Sequence, residues 1–222
     1  MTTRQLKQAL REVLLAGDMD SIVEMFQKDQ RVLSGLLGLS YDKTKELTWR
    51  AIRTYGFLVA RMAETDMETA RAQLRRLLWM LTEESGNLGW STIEMITETI
   101  CHRPKGMEDL VLLIPQYAEE HPFVESVLYA LWRLTECLGR LPWPEDTVRE
   151  VLSEAGERKE PEVRGYFLLA CGKIRHYMEV GPMPEDILKD EREFSYFDGE
   201  KMIRTTLKAM AESLCSSEGA KV

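Results

Sequence analysis

The sequence lacks the motifs that identify most metal-dependent, nucleotide-binding and hydrolytic enzymes. Its three histidines, His102, His121 and His176, form neither an HExxH motif nor a His-Glu pair, so they do not indicate a metal site. No GxxxxGKS/T, GxGxxG or GxSxG segment is present, which leaves phosphate-loop nucleotide binding and nucleophile-elbow hydrolysis without support. The four cysteines occur singly, without the CxxC pairs of a zinc knuckle. We therefore expect no metal, no cofactor and no catalytic residues, and we favour a non-enzymatic protein over an enzyme.

Long apolar runs are also absent. No segment approaches the ~18 apolar residues that span a bilayer, and the opening segment 1–18 interleaves apolar side chains with charged ones, unlike a signal peptide. The net charge of −8 argues against a nucleic-acid partner, because proteins that grip phosphate backbones typically make ~6–10 basic contacts. We expect a cytoplasmic protein without a membrane or nucleic-acid partner, and the sequence does not indicate an oligomeric state.

Groups of apolar residues with the spacing i, i+3, i+4 recur along the chain and extend to i+7 in three of four cases, and this spacing is typical of one buried helical stripe. The groups are Leu33, Leu36 and Leu37; Leu74, Leu77, Leu78 and Leu81; Leu110, Leu113, Ile114 and Tyr117; and Val148, Val151, Leu152 and Ala155. Their first members lie 41, 36 and 38 residues apart (74−33, 110−74, 148−110). Second helices are predicted between the groups, beginning near Leu47, Gly89, Phe123 and Val163. Self-similarity at this period indicates helix pairs stacked as a solenoid.

The predicted organisation is a single helical-repeat domain over 1–222. An N-terminal helical hairpin occupies 1–29, with a first helix over Thr3–Ala16 that Gly17 ends, and a second helix that Asp18 or Asp20 caps. About four helix pairs fill 30–178, and a connector and a C-terminal helix fill 179–222.

The C-terminal segment permits two interpretations. The composition break at 181–184, Gly-Pro-Met-Pro, begins a strongly charged connector. Asp198-Gly199 could then turn a β-hairpin, or Asp198 could cap the last helix. The helical spacing of Ile203, Leu207, Met210 and Leu214 favours the helix.

Two segments resemble HEAT repeats. The run 112–117, LLIPQY, resembles the proline-bearing first helix of a HEAT repeat, and the run 160–164, EPEVR, resembles the turn and start of its second helix. In addition, the run 77–100, LLWMLTEESGNLGWSTIEMITETI, is similar to the most recognisable stretch of an uncharacterised bacterial HEAT-repeat family that has no assigned activity. The resemblance implies an all-α fold, a right-handed α-α superhelix of armadillo-like type, whose second helices line a concave face.

The candidate site lies in the hairpin Arg75–Glu98, where acids and indoles are concentrated around a Gly-containing turn. Its members are Trp79, Glu83, Glu84, Ser85, Trp90, Glu94 and Glu98. A carboxylate held against an indole can have its pKa raised by desolvation, and aromatic residues placed with acids suit recognition of a peptide. The structural alternative is that the acids are solvated and that the indoles pack between repeats. We expect a scaffold or protein-interaction module that binds a protein or peptide on its concave face.

The alternative function is that of a HEAT-like enzyme or ligand-binding protein. Alkylpurine DNA glycosylases of HEAT architecture hold DNA in a basic groove, and bilin lyases share the repeat type. One basic cluster is present, formed by Arg50, Arg53, Arg61, Arg71, Arg75 and Arg76. These arginines can equally be solvated partners of Glu46, Glu64 or Glu68.

Overall fold

A computed structural model describes residues 2–82, 89–120 and 122–216. The described chain is mostly helical and groups into two compact units, Met1–Glu108 and Asp109–Val222. No helix within these described ranges is long and apolar enough to cross a bilayer.

The first unit opens with the predicted helical hairpin. Helix α1 spans Thr3–Ala16 and ends at Gly17, whose φ of 69° suits a residue without Cβ. Helix α2 spans Met19–Lys28, and the Asp18 carboxylate caps it by accepting the Ser21 N–H. The same hydrogen-bonded Ser21 lowers the pKa of Asp18. Both predicted helices are confirmed. Their start and stop signals are local, which explains why the sequence predicts them.

Four further helices lie among the described residues of the first unit. They are α3 (Arg31–Leu37), α4 (Glu46–Thr65), α5 (Met67–Leu81) and α6 (Thr92–His102). Helix α4 packs on α3, α5 and, most extensively, α6. The α4–α6 crossing is close at Gly56, where a Cβ would lie 2.6 Å from Glu98 Cβ and 2.7 Å from Thr99 N. A side chain at Gly56 would therefore force these helices apart.

The second unit holds the last two predicted helix pairs. Helix α7 (Glu108–Leu113), which begins at the unit boundary, leads into a 3-10 helix (Ile114–Ala118), and α8 (Val124–Leu138), α9 (Glu145–Gly156) and α10 (Pro161–Ile174) follow. Pro115 lies in the first turn of the 3-10 helix, where the α-helical pattern stops. Proline has no N–H to donate and its ring clashes with the preceding turn, so the break follows from local chemistry. Helix α10 packs mainly on α8.

The C-terminal segment forms a β-hairpin, so the prediction of a helix starting at Asp198 is wrong. Strand β1 (Glu193–Phe197) pairs with β2 (Met202–Thr206), and helix α11 begins only at Leu207 and ends at Ser216. The Asp198 carboxylate accepts the N–H groups of Glu200 and Lys201 at 2.8 and 2.9 Å and thereby closes the turn.

Packing against α10 explains why this segment forms a β-hairpin and not a helix. The Phe194 ring lies over Gly165, at which a Cβ would come within 2.3 Å of the ring. Tyr166 meets Phe194 edge-on at 5.2 Å, and Trp132 of α8 meets Tyr196 edge-on at 5.9 Å. The chain is thus mostly α-helical with one small antiparallel sheet. The right-handed superhelix and the single-domain organisation stay predictions.

Candidate functional site

Two of the predicted site residues are exposed indoles in the first unit. Trp79, near the end of α5, is 60% exposed, and Trp90, two residues before α6, is 45% exposed. The predicted members Glu83, Glu84 and Ser85 lie outside the described residues.

Glu94, in contrast, is buried and ion-paired. Its carboxylate is 1% exposed and lies 2.6 Å from the Lys43 ammonium group. The same region is tied by two further hydrogen bonds: the Ser91 hydroxyl donates to the Ser40 carbonyl, and the Trp49 indole donates to the Lys43 carbonyl at 2.8 Å. The start of α6 is therefore fixed to the 38–45 connection between α3 and α4.

Glu98 lies one turn further along α6 and is also buried. Its carboxylate, 0% exposed, is 3.5 Å from the Arg53 guanidinium of α4, three residues before the close crossing at Gly56. Because ion pairing compensates for the desolvation of a carboxylate, both acids can remain in the interior. Neither side chain offers surface to a large partner. Among the described members of the predicted set, Trp79 and Trp90 are exposed, whereas Glu94 and Glu98 are buried.

The predicted basic cluster is engaged in local contacts. Arg50 pairs with Glu46 at 2.7 Å and Arg75 with Glu68 at 2.6 Å, as the structural alternative predicted. Arg71 donates to the Gly106 carbonyl at 2.7 Å. Exposed ion pairs contribute only ~0–1 kcal/mol to stability. They nevertheless reduce the positive electrostatic potential that binding of a phosphate backbone would require.

Within 2–82, 89–120 and 122–216, no group of three or more His, Cys, Asp or Glu side chains is placed to hold a metal ion.

Comparison with known proteins gives no relative on which a function could rest. No family model matches the chain, and no curated protein and no solved structure matches it. Membership of the HEAT-repeat family therefore stays a prediction.

The second unit contains a groove that the sequence did not predict. Its volume is about 530 Å³, and it lies between α9 and the segment 178–186. The only sequence signal was the Gly-Pro-Met-Pro break at 181–184, which we interpreted as a connector. Leu152 and Phe167 also line the groove. No local sequence pattern predicts that these two residues lie beside the segment 181–184.

A buried arginine anchors the end of this segment. The Arg164 side chain is 4% exposed and donates to Asp190 at 2.7 Å, to Asp186, and to the Arg158 carbonyl at 3.1 Å. Hydrogen bonds from Lys159 and Arg164 lower the pKa of Asp186 to about 2. The charged connector is therefore held to α10 by ionic contacts.

Proposed function

We propose that the chain is a non-catalytic, HEAT-like interaction module that binds a protein or peptide, with Trp79 and Trp90 in the contact surface. The observation that carries the proposal is the exposure of both indoles, 60% and 45%, at the two ends of the α5–α6 connection. Tryptophan buries a large area on binding and is enriched among the residues that dominate interface energies.

Glu94 has an internal role in this proposal. Trp90 precedes Ser91, which bonds to Ser40, and Glu94, which pairs with Lys43. These contacts hold the backbone that carries the indole. A side chain presented from a fixed backbone loses less conformational entropy on binding.

The contact surface is proposed at Trp79 and Trp90 because parts of the second helices are packed against other elements. In the second unit, the hairpin side chains Phe194 and Tyr196 pack on Tyr166 and Trp132 of α10 and α8. In the first unit, residues 92–100 of α6 are buried throughout. Trp79 and Trp90 are among the large apolar side chains that remain exposed in the described part of the first unit.

Site-specific photocrosslinking tests the proposal. p-Benzoylphenylalanine is placed at Trp79, at Trp90 or, as a control of matched exposure, at Leu112, which is 65% exposed on α7. After irradiation in cells of the source organism, positions 79 and 90 should give the same adduct and position 112 should not. Trp79→Ala/Trp90→Ala, folded by circular dichroism, should no longer retain that partner. Equal recovery by the double variant and by Leu112→Ala would contradict the proposed surface.

A further inference from the structure

The groove of the second unit has an apolar floor and a polar rim. Leu152 on α9, Phe167 on α10 and Met178 form the apolar part, and Gly156 leaves space above it because a Cβ there would meet nothing within 4 Å. The volume of about 530 Å³ lies within the ~300–1,000 Å³ that ligand sites typically occupy. A bulky apolar side chain therefore fits this space.

The rim carries an excess of negative charge. The groove lining holds three carboxylates, those of Glu157, Glu179 and Asp186, against two cations, Arg149 and Lys159. Lys159 lies 2.8 Å from Asp186, and Arg149 lies 3.6 Å from Glu145 outside the lining. Glu157 and Glu179 are exposed and take part in no ion pair among the described residues. An occupant with a positive charge would complement these two carboxylates.

The wall opposite α9 is a stretch of backbone with unused hydrogen-bonding groups. Residues 179–184 form neither helix nor strand. Within the described parts of the chain, the main-chain N–H groups of Val180, Gly181 and Met183 make no hydrogen bond. An extended peptide bound in such a groove can pair its own main chain with these groups, which supplies affinity without a specific sequence.

We propose that this groove binds an extended peptide segment in which an apolar side chain neighbours a basic one. The apolar side chain enters the space over Leu152 and Phe167, and the basic side chain lies against Glu157 and Glu179. The site does not depend on Trp79 or Trp90, so its test is independent of the function proposed for those residues.

Fluorescence anisotropy on the full-length protein tests the proposal, with a labelled hexapeptide of alternating Leu and Lys as the probe. We expect saturable binding, at least about tenfold weaker binding of a Leu-Glu hexapeptide, and similar weakening for a Ser-Lys hexapeptide. Gly156→Trp should abolish binding by filling the groove, while Gly156→Ala should preserve it. Gly156→Ala should keep the wild-type melting temperature because its Cβ meets no atom within 4 Å, and circular dichroism checks that Gly156→Trp is folded.

A charge-matched pair of variants separates groove binding from attraction to an acidic protein. Glu157→Gln/Glu179→Gln should weaken binding of the Leu-Lys peptide about five- to tenfold. Glu150→Gln/Glu185→Gln changes the net charge equally, but these two residues are outside the groove lining. This variant should bind the Leu-Lys peptide with unchanged affinity. Equal effects of the two double variants, or unchanged binding by Gly156→Trp, would overturn the proposal.

Peptide anisotropy and analytical ultracentrifugation of the same variants distinguish two other occupants. Binding of the Leu-Lys peptide that appears only after deletion of residues 217–222 would overturn the proposal in favour of the chain's own terminus. Self-association that Gly156→Trp abolishes would overturn it in favour of a second copy of the chain.

Discussion

Replacing Glu94 with alanine separates an internal role of this acid from a role in partner contact. The substitution removes a carboxylate that is 1% exposed and breaks its 2.6 Å contact with the Lys43 ammonium, which is 20% exposed. Breaking a buried ion pair typically costs ~3–5 kcal/mol. Because Lys43 can turn partly toward water, we expect the low end of that range, about 3 kcal/mol.

Hydrogen exchange of the α6 amides measures this loss within the first unit. At about 1.4 kcal/mol per factor of ten, a loss of about 3 kcal/mol should speed the slowest α6 amides by roughly 100- to 150-fold. The matched control is Glu68→Ala on α5, whose partner Arg75 is 52% exposed and whose own side chain is 79% exposed. Exposed pairs contribute ~0–1 kcal/mol, so the control should change these rates by less than about fivefold.

Similar exchange rates in the two variants would refute the reasoning, since they would show that the Lys43–Glu94 pair does not stabilise the start of α6. Unchanged rates combined with lost partner binding in Glu94→Ala would place the acid in the recognition surface after all.

Three further results are expected in the second unit. Gly165→Leu should detach the hairpin, because its Cβ would lie within 2.3 Å of the Phe194 ring; retained protection of the β1–β2 amides against hydrogen exchange would contradict this. Arg164→Met should cost ~3–5 kcal/mol in urea unfolding, and a loss below 1 kcal/mol would show that the Asp190 pair is dispensable. The lowered pKa of Asp186, about 2, lies below the ordinary value of ~3.9. Its stabilising effect is therefore present above about pH 4 and is lost as the pH falls toward 2. Pepsin cleavage within 184–197 should rise across that window, and the rise should be absent in Asp186→Asn.

The elements whose determining interactions are local lie where the sequence predicts them. The bounds of α1 follow from the apolar spacing and from Gly17, which adopts the positive φ expected of a helix stop. Pro115 marks the change from α7 to the 3-10 helix for an equally local reason. The remaining first and second helices also lie where the recurring apolar groups predicted them.

Contacts between residues distant in sequence determine whether Glu94 and Glu98 are buried or exposed. Glu94 and Glu98 share a helix face by their spacing, but only the folded chain brings Lys43 and Arg53 to them from 51 and 45 residues away (94−43, 98−53). Nothing in the i, i+4 pattern tells an inward acidic face from an outward one.

The same limit applies to the hairpin and the groove. Strand β1 has five residues, which is too short for an alternating pattern to outweigh the helical spacing that follows it. Its register is supported by contact with Gly165, 29 residues before Phe194 (194−165). The groove likewise joins Phe167 to the 178–186 segment, so its shape depends on tertiary packing.

The affinity of the photocrosslinked partner tests the central proposal most directly. Isothermal titration with the purified partner should show each of Trp79→Ala and Trp90→Ala weakening binding by at least about 30-fold, since interface residues of this kind contribute ~2 kcal/mol or more. Leu112→Ala, which truncates a side chain of similar exposure (65% against 60% for Trp79), should change the affinity by less than about twofold. Equal affinities for all three variants would contradict the proposal that the indoles form the binding surface.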